Sequence, residues 1–234
     1  MSTFKGFCPE GFDLLVENRL ANDKDFYESK KKEIREKVIN PFHALCNDMS
    51  EEMLKIDPLF VTNPTRMLCR VRRDTRYTKD KTLYRDNLWF YFRRPKTNFE
   101  PVPFYYMEVT PEYWSYGCFG GFGKGEMEIA REMILKQDAN FLSAFDCANK
   151  SKVFSLDGEM YKRDRFKDAK EEFKPWLNRK HIGLAFYEYD DYSPLWDGSF
   201  VKPMLDSFKE IAPFYNFLLT IRERVNAERH DNTK

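Results

Sequence analysis

Three stretches decide the fold: Leu88-Trp-Phe-Tyr-Phe92, Val102-Pro-Phe-Tyr-Tyr-Met-Glu-Val109 and Trp114-Ser-Tyr-Gly-Cys-Phe119. Each is a short, aromatic-rich run of the length a strand needs, and none is long enough for an ordinary helix. Thr110-Pro111-Glu112 separates the second from the third and reads as a turn. Upstream, Arg66 to Arg73 alternates loosely and predicts one more strand. Short connections between neighbouring strands call for an antiparallel meander.

Outward from these strands the period changes to that of a helix. Toward the N-terminus, Pro9 suits the first turn of a helix carrying Phe12, Leu15, Val16 and Leu20 at helical spacing. Asn22 or Asp23 can cap a second helix through Phe26, Tyr27, Ile34 and Val38, which Pro41 should kink or break. The periodicity resumes from His43 to Ile56 and stops at Asp57-Pro58. Toward the C-terminus, helices are predicted over Glu126–Gln137, Ala139–Ala148 and Phe166–Leu177, and a strand over Ile182–Tyr187. A long apolar helix over Phe200–Val225 is interrupted by Pro203 and Pro213. Residues 226–234 read as a polar C-terminal tail. The whole predicts one α+β domain over residues 1–225, an antiparallel sheet of about four or more strands flanked by N- and C-terminal helices.

Composition narrows the class of protein. The 234 residues are 42% hydrophobic and 33% charged, which excludes a disordered chain. The net charge is +1, so bulk charge gives no pull toward nucleic acid or membrane. No run of about 18 apolar residues exists, and Met1 to Phe12 lacks the apolar core of a signal peptide. The five cysteines, at 8, 46, 69, 118 and 147, are odd in number and contain no Cys-x-x-Cys, which fits reduced thiols in the cytoplasm.

Charge is unevenly spread. Residues 66–96 hold eight arginines and three lysines against three aspartates, a surplus of eight positive charges, so the remainder is acidic. The heart of this segment is Arg70-Val-Arg-Arg-Asp-Thr-Arg-Tyr-Thr-Lys-Asp-Lys-Thr-Leu-Tyr-Arg85. Guanidinium groups suit carboxylate and phosphate, so the segment is read as a site for a small anionic ligand, phosphorylated compounds included. Arg70, Arg73, Arg76, Lys81 and Arg85 would supply charge, Asp74 and Asp80 would orient them, and Tyr84 would add a hydroxyl; cationic surroundings would acidify Tyr84 if it served as acid or base, but a buried tyrosine is the simpler reading. On a strand, Arg70, Arg72 and Asp74 would share one face and Arg73 the other. The plain alternative is a salt-bridge network in which Asp74 and Asp80 tie the loop to the strands. A second alternative is a nucleic-acid-binding module that stacks bases on the interleaved aromatics.

This motif resembles the hallmark of the family catalogued as domain of unknown function 2461. Asn18–Tyr27, Pro41, Phe104–Gly121, Gly158–Arg163 and Phe186 resemble further blocks of that family, so the resemblance spans about residues 8–220. Leu83 stands where the family usually has proline, and Asp164-Arg165-Phe166 replaces a Pro-Arg-Gly-like run. The Trp-x-Pro that often follows the glycines is missing. The resemblance supports the α+β fold and a cytoplasmic protein, and it implies no activity, cofactor or partner.

Other signals are weaker. Five of the ten glycines fall in Gly117–Gly125, ahead of a predicted helix, but a phosphate loop ending at Gly123-Lys124 would need glycine at 118 and serine or threonine at 125. Glycines that permit close packing of strands are the simpler reading. His43 and Cys46 sit at helical spacing without a second ligand pair, so no metal site is expected. A magnesium site from Asp74, Asp80 and Glu108 is disfavoured by the cations around those acids. No nucleophile–base signature accompanies the motif, so no catalytic constellation is identifiable.

Overall fold

The computed structural model describes residues 3–95, 102–120 and 123–231. The elements run α1(Pro9–Ala21), α2(Lys24–Ile34), α3(Asn40–Ile56), α4(Pro64–Met67), β1(Leu88–Arg93), β2(Phe104–Val109) and β3(Trp114–Gly120). They continue with α5(Lys124–Leu135), α6(Ala139–Lys150), β4(Ser155–Asp157), α7(Lys174–Leu177), β5(Ile182–Glu188), α8(Ser193–Asp197), α9(Val201–Glu210) and α10(Ala212–Asp231). The five strands form one antiparallel sheet in the order β1-β2-β3-β5-β4, with helices flanking it at both ends of the chain, a single α+β domain. In the β4–β5 pair Ser155 faces Ala185 and Asp157 faces Gly183.

The N-terminal helices follow their caps. Pro9 opens α1, and Asn22 closes it in the left-handed conformation at φ 47°. Asp23 then caps α2, its Oδ1 accepting the Phe26 N–H at 2.8 Å. Pro41 does not break the helix. Proline cannot donate to the carbonyl of Lys37, and the chain widens into a π turn over Arg35–Ile39, in which the Asn40 N–H reaches Arg35. The Lys37 carbonyl instead faces α1, where Cys8 Sγ lies 3.8 Å away. A Cβ at Gly11 would stand 2.9 Å from that oxygen, so glycine is what lets α1 come so close.

Contacts group the chain into two compact units. The first holds Met1–Phe92, Met107–Ser115 and Tyr187–Leu205; the second holds Arg93–Tyr106, Tyr116–Phe186 and Asp206–Lys234. In the first, β1 buries Leu88, Phe90 and Phe92 on alternate positions, and Phe90 meets Phe42 of α3 edge-on with centroids 6.3 Å apart. Phe7 packs on Phe42 at 4.6 Å and Trp114 on Phe200 at 5.8 Å. In the second, Tyr105 of β2 packs between Phe208 and Tyr215, and Phe141 of α6 packs on Phe217 of α10. A Cβ at Gly117 would overlap the Leu184 carbonyl, so this glycine serves close strand packing, whereas Gly125 has open space around it. Gly121 lies outside the described residues.

Several elements differ from expectation. Arg66–Arg73 forms no strand. It contributes the end of α4 and two isolated bridges, Leu68 to Phe90 and Arg72 to Tyr84. Of Phe166–Leu177 only a 3₁₀ turn at Glu171–Phe173 and the short α7 are helical. The Asp164 carboxylate takes the Phe166 N–H at 2.8 Å in a side-chain turn that competes with helix. Pro203 falls in the first turn of α9, where it is tolerated, whereas Pro213 restarts the chain as α10. α10 continues to Asp231, beyond the expected end at Val225. Among the described residues no helix is long and apolar enough to cross a membrane.

Candidate functional site

The arginine-rich motif is a loop stitched by backbone bonds. The Cys69 N–H donates to Trp89, the Arg85 N–H to Val71 at 2.9 Å, and the Arg73 N–H to Leu83 at 2.8 Å. The loop between these rungs, residues 74–82, has little apolar area to bury, so its shape rests on side-chain bonds. Asp80 accepts from the Thr82 N–H and from Arg73, which also donates to the Thr82 hydroxyl. Together these bonds hold the Asp80 carboxyl well below the usual carboxylate range. Asp74 accepts twice from the Arg76 guanidinium, at 2.9 and 2.7 Å, and once from its N–H, and its pKa falls to about 2. Lys81 Nζ donates to the Thr75 carbonyl at 2.8 Å.

Arg19 of α1 is a cleft residue that sequence reasoning missed. Its Nη2 reaches Asp80 at 3.4 Å, its Nε reaches Asp86 at 3.1 Å, and its Nη1 donates to the Tyr84 carbonyl. Asn22 adds a bond from the Leu83 N–H at 2.7 Å. α1 is therefore a wall of the motif. No local pattern at 19 gives this away; the only sequence signal was that the family resemblance includes Asn18–Tyr27.

An open cleft of about 340 Å³ lies here, lined by Arg19, Arg73, Asp80, Arg85, Asp86 and Asn87 and by the turn Thr110–Tyr113. Of the eight residues expected at a ligand site, Arg73, Asp80 and Arg85 line it. Arg70 and Arg76 are exposed outside it, and Asp74 and Lys81 are occupied within the loop. Tyr84 is buried, stacked on Tyr27 at 4.8 Å. Burial pushes its hydroxyl pKa up and outweighs the opposing pull of Arg72, so the expected acidification is reversed.

Arg85 differs from the other cleft arginines. Its Nε–H donates to the Arg70 carbonyl at 3.2 Å, and its guanidinium lies 4.4 Å from the Trp89 ring centroid. No carboxylate among the described residues lies within ion-pair reach of it. It is held in place and left electrically unanswered. Glu112, on the opposite account, is a cleft carboxylate with no cation partner among the described residues.

Behind the cleft wall Glu108 accepts from Asn87 Nδ2 at 2.7 Å and from the Tyr113 hydroxyl at 3.3 Å. Burial first, and then the Glu108 carboxylate, push the Tyr113 pKa up to about 12. Cys69, whose sulfur accepts the Trp89 N–H at 3.3 Å, is likewise pushed by burial up to about 12, so it is a thiol and not a thiolate. At the α5 N-terminus after the glycine run, the chain's own Glu126 carboxylate accepts the Gly123 N–H at 2.9 Å. Cys46 of α3 is buried, and desolvation pushes its thiol pKa up. Asp74 and Asp80 are taken by arginines and Glu108 by Asn87 and Tyr113, an arrangement that does not gather the three acids around a cation.

The fold and the cleft define an α+β protein with an arginine-lined polar cleft between its first helix and a motif loop. A family model described as "Conserved hypothetical protein (DUF2461)" matches residues 10–217, and the chain belongs to that family. No curated protein matches it.

Proposed function

We propose that the cleft binds a small anionic ligand, with Arg85 as its anchor and Arg19 and Arg73 as flanking positive charge. The observation that carries this reading is the state of Arg85: fixed by the Arg70 carbonyl and by Trp89, facing the cleft, and without a carboxylate partner among the described residues. A planar guanidinium held by one N–H keeps its remaining donors for a phosphate or carboxylate. The side-chain order needed for binding is already in place, which lowers the entropy cost of association. The aromatics of β1 support nucleic-acid stacking poorly, because Phe90 and Phe92 are fully buried.

Thermal denaturation of the full chain with phosphate, sulfate and citrate tests the reading. Phosphate or citrate should raise the Tm in a saturable way, Arg85→Ala should remove the rise, and Arg85→Lys should keep only part of it. A flat response to all three anions, or an unchanged response in Arg85→Ala, would overturn the proposal.

A second reading has its own observation. Arg73, Arg76 and Lys81 all have partners inside the loop, so the motif also acts as a salt-bridge network that fixes residues 74–82 against α1. The two readings are compatible: the network would build the wall against which Arg85 works.

A further inference from the structure

The cleft has an aromatic margin. Tyr113, which lines it, meets Tyr187 edge-on with centroids 5.5 Å apart and Tyr189 at 5.9 Å. Tyr187 and Tyr189 are two residues apart and their rings stack, 19° from parallel with centroids 6.1 Å apart. They are 39% and 60% exposed. Singly exposed aromatics are ordinary; Tyr77, 90% exposed with Arg76 over its ring, is one. Three joined rings at the edge of a polar cleft are different, because they offer clustered ring faces and edges beside a charged site.

This margin is braced. The Asp190 and Asp191 N–H groups both donate to Glu188 Oε1, closing the bend that carries Tyr189. The Trp114 indole donates to the Asp191 carbonyl at 2.9 Å, and the Tyr192 hydroxyl to the Thr110 carbonyl at 3.1 Å, so the bend is pinned to the turn that lines the cleft. Glu112, next to Tyr113, offers acceptor oxygens with no cation partner among the described residues.

We infer that the ligand of the cleft is a nucleoside monophosphate or a compound of that chemistry, with its flat base stacked on Tyr187 and Tyr189, its hydroxyls donating to Glu112 and its anionic group at Arg85. This rests on the anion reading of the cleft and adds the ring and hydroxyl parts. A base stacks on an aromatic side chain whatever its identity, so discrimination among bases is expected to be weak.

Titration calorimetry on the full chain with inorganic phosphate, ribose 5-phosphate and the four ribonucleoside monophosphates separates the parts. The monophosphates should bind at least about fivefold tighter than ribose 5-phosphate. Tyr189→Ala should bring them down to the ribose 5-phosphate level while leaving the binding of inorganic phosphate unchanged. Tyr189→Phe should retain the preference, and Tyr77→Ala should change nothing. Equal affinity for ribose 5-phosphate and the monophosphates, or a preference that survives Tyr189→Ala, overturns the ring inference and leaves the anion reading standing. Failure of every one of these compounds to bind overturns both.

Discussion

Arg222 with Glu126 and Arg76 with Asp74 are the same chemistry in opposite surroundings. The first pair, in the second unit, joins at 3.1 Å with side chains 8% and 6% exposed. The second, at the tip of the motif loop, joins at 2.7 Å with side chains 74% and 57% exposed. The shorter distance belongs to the pair that matters less. In water two charges attract weakly and salt screens them, whereas a buried charge that loses its partner has no water to replace it. Arg73 with Asp80 stands between them, at 14% and 44% exposure. Density of arginine in a sequence is therefore a poor guide to which arginine matters.

The largest effect should come from Glu126→Ala. It removes one carboxylate partner of buried Arg222 and also removes the acceptor for the Gly123 N–H at the start of α5. A loss of about 3–5 kcal/mol is expected in urea denaturation. A loss below about 1 kcal/mol would mean that water reaches Arg222, and the contrast between the two pairs would collapse.

Arg73→Ala comes next. It removes bonds to Asp80 and Thr82, and because Asp80 is half open to solvent the expected loss is about 1–2 kcal/mol. Loop 74–82 should loosen with it, read as faster amide hydrogen exchange at Thr82, whose N–H is tied to Asp80. Stability unchanged from the parent chain would assign the loop's shape to its backbone bonds alone.

The sheet was legible because β1, β2 and β3 are short aromatic runs; in β1 the burial of Leu88, Phe90 and Phe92 follows the strand period, while β2 and β3 are buried over most of their length. The same alternation misled at Arg66–Arg73. Val71 is buried there, but Arg70 and Arg72 both face solvent, and two bridges are all the pairing the segment makes. At Pro41 the expected disturbance takes the form of a π turn that absorbs the missing bond, an adjustment no residue type announces. At the site, Arg73, Asp80 and Arg85 could be read from the motif, being local to it. Arg19 and Tyr113 could not, since each comes to the cleft from a separate part of the chain and only the fold sets that meeting.

The smallest effect, and the one that sharpens the contrast from the other end, concerns Arg76 and Asp74. Arg76→Ala should leave the Tm where it is, since both side chains are largely in water. The pair should still be visible by titration. Its folded pKa of about 2 for Asp74 lies below the roughly 3.9 of an unfolded aspartate, so whatever it contributes is fully present above pH 4 and is lost as pH falls through 2. In the parent chain the Asp74 carboxyl carbon, followed by NMR, should titrate near pH 2, and in Arg76→Ala it should titrate closer to the ordinary aspartate range. Between pH 5 and 8 neither should change. An Asp74 that titrates alike in both proteins would mean that the exposed pair is not formed in solution, and the motif's outermost arginine would then be free for a ligand after all.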